Sequence, residues 1–497
     1  MKKILRVTSV LGIATIVSLC AGLVRAKFLA WQLGPSGLGI IAQAMMFSAF
    51  AMQFCSLNIG TGITKEISEG LAQKDDGRVK KTVNTSVALQ FIAGGLLIAV
   101  VLLFSRSLTT LVFSDIKYRI YLIGMAVTAP LAVFMTGTAY PLFYGFKKIA
   151  ECSKLAITNT LIGLGLVISL VWFYRIDGML AQIILIAVIS FAGSYYFVRK
   201  NTPVNPVPDA GLFKDKECRG ISSRLFGYGL ISFIPANINM LVMLYLRGIF
   251  MKQYGVEANG YFQVGFAMSA YYLPFVTNSV WGHFYPEMCA MKENTNINRE
   301  INQFIRFTVL AATAIAAGCV IFRKYIIFVL FSGQFMKAYD LLAVQAVGDI
   351  FFIIYYVFAA SLTARRKFRD IIISMAAYNG ILLGLYYVLT HFGAYDLLTL
   401  NIAIAVSNFI LAVAAFIYWR FDTGFTLSSI NTGLFIKSAL LVAMILLIPD
   451  KNILVTGLKI ALAAAWALVS VTRDEASGLR ALILSKLKRN TIGENGR

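Results

Sequence analysis

The stretch WQLGPSGLGIIAQAMMFSA at residues 31–49 has a counterpart later in the chain, KQYGVEANGYFQVGFAMSA at residues 252–270. A shift of 221 residues aligns the two stretches, and it also aligns Arg199 with Arg420 and Lys148 with Arg369. The identities within the stretches are Gln32 with Gln253, Gly34 with Gly255, Gly39 with Gly260, Ser48 with Ser269 and Ala49 with Ala270. One offset that recurs at three separate places predicts that the chain contains two copies of one structural plan.

The composition indicates that the chain lies in a membrane. Of its 497 residues, 59% are apolar and only 14% are charged, which excludes an ordinary soluble globule. Most of the chain consists of apolar runs of roughly 17–25 residues, long enough for a helix to cross about 30 Å of hydrocarbon. These runs lack the alternation of a membrane barrel, and the first has no small-residue cleavage site, so we expect it to be retained. We predict an all-α polytopic membrane protein of about 14 transmembrane helices.

The repeat divides these helices into two pseudo-symmetric six-helix lobes and two extra helices. Six helices return the chain to its starting side, so the second copy has the same orientation as the first and the repeats are parallel. We predict an N-terminal lobe at residues 1–200, a linker with three prolines at 201–222 and a C-terminal lobe at 223–420. Helices 13 and 14 follow at 421–472, and a tail occupies 473–497. Lobes of this kind commonly expose a substrate alternately on each side of the membrane.

The net charge of +22 is an orientation signal. With the N-terminus in the cytoplasm, most Lys and Arg residues fall on cytoplasmic segments, as the positive-inside rule requires. We therefore expect both termini and the tail to be cytoplasmic. Because orientation accounts for most of the positive charge, we expect no nucleic-acid partner.

The cysteines and histidines do not predict a reactive centre. The six cysteines form no CxxC or Cys/His spacing, and His283 and His391 are far apart, so we expect no disulfide, no metal and no cofactor. No segment outside the predicted helices exceeds about 25 residues, which is too short for a soluble catalytic domain. The chain also lacks a P-loop. We expect a protein that is not an enzyme and whose function is performed by the helices.

Four stretches carry a resemblance to a known family. AKFLAWQLGPSGLG (26–39) combines a basic residue with GP-x-GLG, and IGTGITKEISE (59–69) and YGFKKIAE (144–151) follow it. The fourth stretch is FSGQFMKAYDLLAVQAVGDIFFIIYYVFAASLTARRKFR (331–369). Together they resemble the first helix, second loop, fourth helix and tenth helix of polysaccharide flippases of the O-antigen and enterobacterial common antigen type. These belong to the multidrug/oligosaccharidyl-lipid/polysaccharide exporter superfamily. The likeness covers about residues 1–420, and the last two helices depart from the family's core of 12.

The resemblance implies a transporter that makes and breaks no bond. It would move an undecaprenyl-diphosphate-linked oligosaccharide repeat unit from the cytoplasmic to the periplasmic leaflet of the bacterial inner membrane. The implied partners are this glycan, membrane lipids, a coupling proton or Na⁺ and the polysaccharide polymerase machinery. An ion-coupled multidrug exporter and a peptidoglycan-precursor flippase of the same superfamily remain alternatives. A glycan polymerase or ligase is a further alternative, although the chain has no long external loop.

Basic residues within the predicted helices are the candidates for binding a diphosphate, since arginine matches phosphate oxygens bidentately. Arg25 continues a stripe of small residues (Ala14, Ser18 and Ala21), which favours a position inside the bundle. Lys27 continues a more apolar stripe, which favours a lipid-facing side chain that reaches to the interface. The resemblance, in contrast, points to Lys27 as the cavity residue. Both alternatives stay open. Arg247 occupies the comparable place in the seventh helix, and we predict that it lines a cavity, with snorkelling or an ion pair as the alternatives.

The remaining candidates are weaker. Lys65, Lys147 and Lys148 lie at the predicted cytoplasmic mouth, where they could gather the anionic substrate. Lys65 could instead simply pair with Glu69, and Lys147 and Lys148 could serve only to determine the topology. Asp349 lies within its span and could either couple transport to a proton or cation or pair with an arginine such as Arg247. The candidate glycan contacts combine aromatic rings with amides, although such residues are more often core or interface residues. They are Gln263, Tyr271, Tyr272 and Asn278.

Overall fold

The computed structural model describes residues 2–208, 215–291, 297–393, 397–449, 452–472 and 475. Part of the predicted linker, residues 209–214, and the predicted tail apart from Glu475 lie outside the described residues. The described part is almost entirely helical and contains no strand. Helices are expected in lipid because each one satisfies its own backbone polar groups.

Sixteen α-helices follow one another along the described chain. They are α1 (Lys2–Ser56), α2 (Gly60–Ala72), α3 (Asp76–Leu103), α4 (Ser105–Phe113), α5 (Arg119–Val133), α6 (Tyr140–Gly145), α7 (Ile149–Asn201), α8 (Lys216–Tyr254), α9 (Val256–Ser279), α10 (Tyr285–Ala290), α11 (Ile297–Leu330), α12 (Tyr339–Ala364), α13 (Phe368–His391), α14 (Thr399–Thr423), α15 (Ser429–Leu447) and α16 (Ile453–Ser470). Two π-helical turns, Phe134–Ala139 and Val280–Phe284, join α5 to α6 and α9 to α10.

The helices provide fourteen segments that are each long enough to span a membrane. Eleven stretches of the described chain are long and apolar enough to cross a membrane. Two of them, Gly12–Ala72 and Ile149–Asn201, each contain two spans, because the helix breaks at Gly34 and at Arg175. The continuous helix at residues 256–290 brings the number from thirteen to fourteen. The prediction of an all-α protein with about 14 transmembrane helices is therefore confirmed.

The repeated glycines make the same turn in both copies. Gly34 breaks α1 with φ 62° and ψ −171°, and Gly255 separates α8 from α9 with φ 89° and ψ 162°. Side chains strongly disfavour this combination of positive φ and extended ψ, which is essentially confined to glycine. The alignment of these two glycines in the sequence thus corresponds to a shared backbone conformation.

The second pair of repeated glycines lies where the two copies meet. A Cβ added to Gly39 would lie 2.2 Å from the Val256 carbonyl oxygen, and one added to Gly260 would lie 2.0 Å from the Pro35 carbonyl oxygen. The contact is reciprocal, because Pro35 and Val256 are themselves 221 residues apart. The absence of side chains at both glycines therefore allows the two backbones to touch.

A basic loop is also repeated, with a small shift. Lys147 and Arg366 both have positive φ, 57° and 58°. In the first loop the Lys148 N–H donates to the Phe143 carbonyl at 2.8 Å, and in the second the Lys367 N–H donates to the Leu362 carbonyl at 3.0 Å. The backbone therefore pairs Lys148 with Lys367. The sequence alignment paired it with Arg369, because a single offset ignores a difference of two residues in length before this loop.

The helices group into two compact units. The first contains residues 1–264, 325–341 and 368–403, and its buried core runs through α1–α8. The second contains residues 265–324, 342–367 and 404–497, and Val276, Ala312 and Ile353 pack together in it. The six-helix lobes of the sequence analysis stay a prediction.

Candidate functional site

A cavity of about 430 Å³ opens within the first unit, between α1, α5 and α7. Arg25 is the one charged residue among the described residues that line it. Neutral polar side chains line much of the rest: Ser18, Ser48, Thr128, Asn159, Thr160, Gln182 and Ser190. No carboxylate is present in this lining, so the fixed charge of the cavity is positive.

Hydrogen bonds between side chains hold several polar groups of the cavity in place. Ser18 and Thr160 approach to 3.5 Å between hydroxyls, and the Ser190 hydroxyl donates to the Asn159 side-chain oxygen at 2.5 Å. These contacts join α1 to α7 and also join the two parts of α7. They leave hydroxyls and amides, which can both donate and accept, along the wall.

Four methionines contribute to the apolar part of the lining, beside leucine, isoleucine and alanine side chains: Met45, Met52, Met125 and Met135. One guanidinium nitrogen of Arg25 (Nη2) lies 3.2 Å from the Met45 sulfur. Thioether side chains are flexible and polarisable, so they can adapt to ligands of different shape. The cavity therefore combines one cation, several hydrogen-bonding groups and a deformable apolar wall.

The structure separates Arg25 from Lys27. Ala14 and Ala21 are buried and Arg25 lines the cavity, whereas Ile16 and Lys27 are exposed. Two residues along a helix turn the side chain by roughly 200°, so the two cations point to different faces. The small-residue stripe therefore identified the cavity-facing residue, Arg25.

Lys27 has a contact of its own. Its ammonium group donates to the Phe328 carbonyl at 2.8 Å and lies 5.9 Å from the centre of the Phe328 ring. This carbonyl is in the last turn of α11, where helix carbonyls lack intrahelical partners and attract cations. The contact ties α1 to the end of α11.

Arg247 was predicted to line a cavity, but in the structure its side chain is buried, with 1% of its surface exposed. Its Nε donates to the Asn259 side-chain oxygen at 2.8 Å, and its Nη2 donates to the Gln263 side-chain oxygen at 2.8 Å. Asn259 in turn donates to the Gly39 carbonyl at 2.7 Å. Arg247 thus supports the meeting of the two repeated glycine stretches, and Gln263 is engaged with it.

Asp349 lies in the second unit, 4% exposed. One carboxylate oxygen accepts hydrogen bonds from the hydroxyls of Ser269 and Tyr272, and the other accepts from the Gln345 amide at 2.9 Å. These neutral donors stabilise a buried carboxylate. Tyr272, a candidate glycan contact, is therefore committed to Asp349. Of the other candidates, Tyr271 is half-buried and Asn278 is exposed on α9.

Lys65 and the lysine pair lie at one end of the first unit. Lys65 is 3.8 Å from the Glu69 carboxylate, as its i,i+4 spacing predicted, and it also donates to the Tyr228 hydroxyl at 2.7 Å. Lys147 and Lys148 are exposed, and Lys148 donates to the Asn201 carbonyl. Because α6 packs on α2, these lysines lie at the same end of the unit as Lys65.

The sequence analysis overlooked Glu66. It is 1% exposed and accepts hydrogen bonds from Arg78 and Arg224. Its helical spacing with Gly62, Ile63 and Gly70, which are also buried, places it on the inner face of α2. That periodicity could have identified it.

A second cavity of about 390 Å³ continues from the first along α1. The two share Ala49 and Met52 in their linings. The polar residues of the second cavity are Gln53, Ser56, Asn58 and Thr136, and Met240 of α8 closes one side. The polar surface that begins at Arg25 therefore extends to the start of α2.

Comparison with known proteins decides the family. The family model described as "Polysaccharide biosynthesis protein" matches residues 28–340. The chain belongs to this family. Curated relatives include the Lipid III flippases of Escherichia coli (strain K12) and Shigella flexneri. Each is 23% identical over 412 residues, which is 82% of this chain and 96% of the relative.

This member of the polysaccharide biosynthesis protein family is similar in structure to known transporters. An inward-facing multidrug resistance MATE family transporter of the MOP superfamily matches with a TM-score of 0.69 at 15% identity, covering 84% of this chain and 98% of that one. The lipid II flippase MurJ, in an inward closed conformation, matches with a TM-score of 0.69 at 14% identity, covering 95% of this chain and 99% of that one. At such identities the likeness establishes the fold alone. Together, these findings confirm the predicted resemblance to the superfamily.

Proposed function

We propose that this protein is a flippase for an undecaprenyl-diphosphate-linked oligosaccharide repeat unit. It would carry the unit from the cytoplasmic to the periplasmic leaflet of the bacterial inner membrane by alternating access, with both termini in the cytoplasm. The family match and the name of the curated relatives, lipid III flippase, support a lipid-linked glycan as the substrate class. No bond is made or broken in this process, so the protein would not act as an enzyme.

The observation that carries the proposal is the positive charge of Arg25 in a cavity whose other described lining residues are all neutral. A diphosphate brings close to two negative charges, and a planar guanidinium can donate to two of its oxygens at once. The apolar surroundings strengthen this attraction relative to water. An exporter of organic cations would need the opposite sign of charge at this place.

The other residues of the cavity suit a sugar. Hydroxyls and amides such as Thr160, Asn159 and Gln182 can exchange hydrogen bonds with sugar hydroxyls. The methionine side chains can pack against the apolar faces of the ring. In this proposal the prenyl tail remains in lipid, because moving it through a polar cavity would gain nothing.

The test is a transport assay with purified protein in vesicles. A fluorescent undecaprenyl-diphosphate-linked glycan is loaded, and its appearance in the opposite leaflet is followed by a membrane-impermeant quencher. We expect Arg25→Ala to reduce transport at least about tenfold, equivalent to about 1.4 kcal/mol of headgroup binding, and Arg25→Lys to retain part of it. Lys27→Ala is the matched control, since Lys27 faces away from the cavity, and we expect near-normal transport.

Two results would contradict the proposal. Full transport by Arg25→Ala at normal protein level would remove the cationic cavity from the mechanism. Failure of the native protein to move the glycan, together with resistance of expressing cells to cationic dyes, would favour the ion-coupled exporter.

A further inference from the structure

Four residues tie α2 to α8 at the end of the first unit where Lys147 and Lys148 lie: Lys65, Glu66, Arg224 and Tyr228. We call this group the α2–α8 latch. The Glu66 carboxylate accepts from Arg224 Nε at 2.8 Å and from Arg224 Nη2 at 3.3 Å. One helical position away, Lys65 donates to the Tyr228 hydroxyl at 2.7 Å and lies 4.9 Å from the centre of its ring. The latch therefore consists mainly of contacts between charged or polar groups.

The latch lies beyond the inner end of the second cavity. Asn58 and Gly60 line that cavity, and Glu66 lies six residues further along α2, or about 9 Å at helical rise. At the cavity end of this stretch, the Asn58 amide donates to the Ser232 hydroxyl of α8 at 3.1 Å. A Cβ on Gly229 would lie only 2.3 Å from the Leu57 carbonyl oxygen, so the backbones touch here. The segment that leads into α2 is therefore in contact with α8 between the second cavity and the latch.

The charges of the latch are unequally placed. Glu66 is 1% exposed, whereas the Arg224 side chain is 47% exposed. Glu66 also accepts from Arg78 at 2.8 Å, and Arg78 is only 19% exposed. Leaving a buried carboxylate without a partner is strongly unfavourable. If Arg224 moved away, Arg78 would still hold Glu66, so Arg224 is the partner that can leave.

We propose that Arg224 exchanges Glu66 for the phosphate groups of the arriving substrate. In this step the anion competes with Glu66 for Arg224, and with the Tyr228 hydroxyl for Lys65, so that binding itself opens the latch. The ligand class is a diphosphate, and the inference rests on the proposed function. While Arg224 pairs with Glu66, the same contacts keep the route from this end closed.

The proposed exchange predicts a different result from an ion pair that has only a structural role. Glu66→Gln removes the competitor for Arg224, so the binding-competent fraction rises and the apparent Kd for undecaprenyl diphosphate falls by about threefold or more. Arg224→Gln removes the cation itself, so the apparent Kd rises by a similar factor. A pair that served only to hold α2 against α8 would give both variants the same change. Arg219→Gln is the matched control, because Arg219 is an exposed arginine five residues earlier on α8.

Binding is measured on purified protein in nanodiscs with undecaprenyl diphosphate and, separately, with inorganic diphosphate, which distinguishes a lipid headgroup from a free anion. A cysteine pair at Asn58 and Ser232, in a background without the six native cysteines, reports closure. We expect undecaprenyl diphosphate to slow crosslinking of this pair and Arg224→Gln to abolish that response. Arg78 still pairs with Glu66 in every Arg224 variant, so we expect these variants to fold. The size-exclusion profile of each purified variant checks this.

The proposal is overturned if Glu66→Gln and Arg224→Gln change the Kd in the same direction, or if the substrate leaves crosslinking unchanged in a protein that transports it. Native protein that fails to transport any lipid-linked glycan would instead contradict the proposed function. The two failures are therefore distinguishable.

Discussion

Ser36 donates a hydrogen bond of 3.0 Å to Glu257, the residue 221 positions further along the chain and its counterpart in the repeat. A two-fold relation exchanges equivalent residues, so they can touch each other only close to the axis. Together with the reciprocal contacts of Gly39 and Gly260, this bond places a pseudo-two-fold axis between the two glycine stretches of the first unit. The 221-residue repeat of these two stretches thus has a structural counterpart in this contact.

The first prediction concerns this contact. Gly39→Ala and Gly260→Ala each place a methyl group about 2 Å from a carbonyl oxygen, so the backbones must separate. We expect a loss of roughly 1–3 kcal/mol in the free energy of unfolding, the usual range for overpacking. Thermal unfolding of the purified protein measures it. Gly95→Ala, where nothing lies within 4 Å of the added carbon, should be neutral or slightly stabilising because alanine favours helix. Equal melting temperatures for all three variants would contradict the close contact.

The second prediction separates Arg247 from Arg25. Arg247→Met leaves the buried side-chain oxygen of Asn259 and the half-buried one of Gln263 without this donor, and we expect a loss on the order of 2–3 kcal/mol in stability. Arg247→Lys should recover only part, because one ammonium group cannot span both amides. Arg25→Ala should leave the melting temperature unchanged and affect transport alone. A stable but inactive Arg247→Met protein would instead indicate a direct role in substrate binding.

The third prediction concerns Asp349. The carboxylate is buried among neutral donors in the second unit, and we propose that it takes the coupling proton or Na⁺. Asp349→Asn should fold, since its carbonyl can still accept from Ser269 and Tyr272, but its transport rate should no longer respond to a proton or sodium gradient. Vesicle assays with and without each gradient measure this. Asp177→Asn, an exposed aspartate near the break in α7, is the control. An unchanged gradient response in Asp349→Asn would exclude this role.

The fourth prediction is a dependence on pH. Hydrogen bonds from Arg306 of α11 and from the backbone N–H of Thr472 hold the pKa of Glu475 at about 2, below its ordinary value of 4.5. Because the pKa is lowered in the folded state, the contact stabilises the protein fully above about pH 4.5, and this stabilisation is lost as the pH falls towards 2. Glu475→Gln should therefore lower the melting temperature at neutral pH, and the difference from the native protein should shrink on acidification.

The control for this contact is Glu151→Gln, which removes an exposed pair with Lys154. Such surface pairs contribute little, so we expect no measurable change in melting temperature at any pH. A difference between native protein and Glu475→Gln that grew on acidification would contradict the assignment.

The sequence determined the helices and the repeat, and it limited the cavity-facing cation of the first helix to Arg25 or Lys27. Hydrophobic runs fix membrane helices because the backbone has no other way to satisfy its polar groups in lipid. Glycines at Gly34 and Gly255 fix turns because the required backbone angles exclude other residues. The spacing of Ala14, Ser18 and Ala21 fixes a helix face, since side chains three or four positions apart share one side.

Only the tertiary structure decided which charges are accessible. Arg247 and Arg25 both read as charges within membrane helices, yet one is buried against two amides and the other lines a cavity. The role proposed for Glu66 depends on its contact with Arg224, which lies 158 residues away in the sequence. A local pattern states which side of its own helix a residue occupies, but not which helix will cover that side. Partners and solvent access depend on contacts between distant segments, and these set what a buried charge can do.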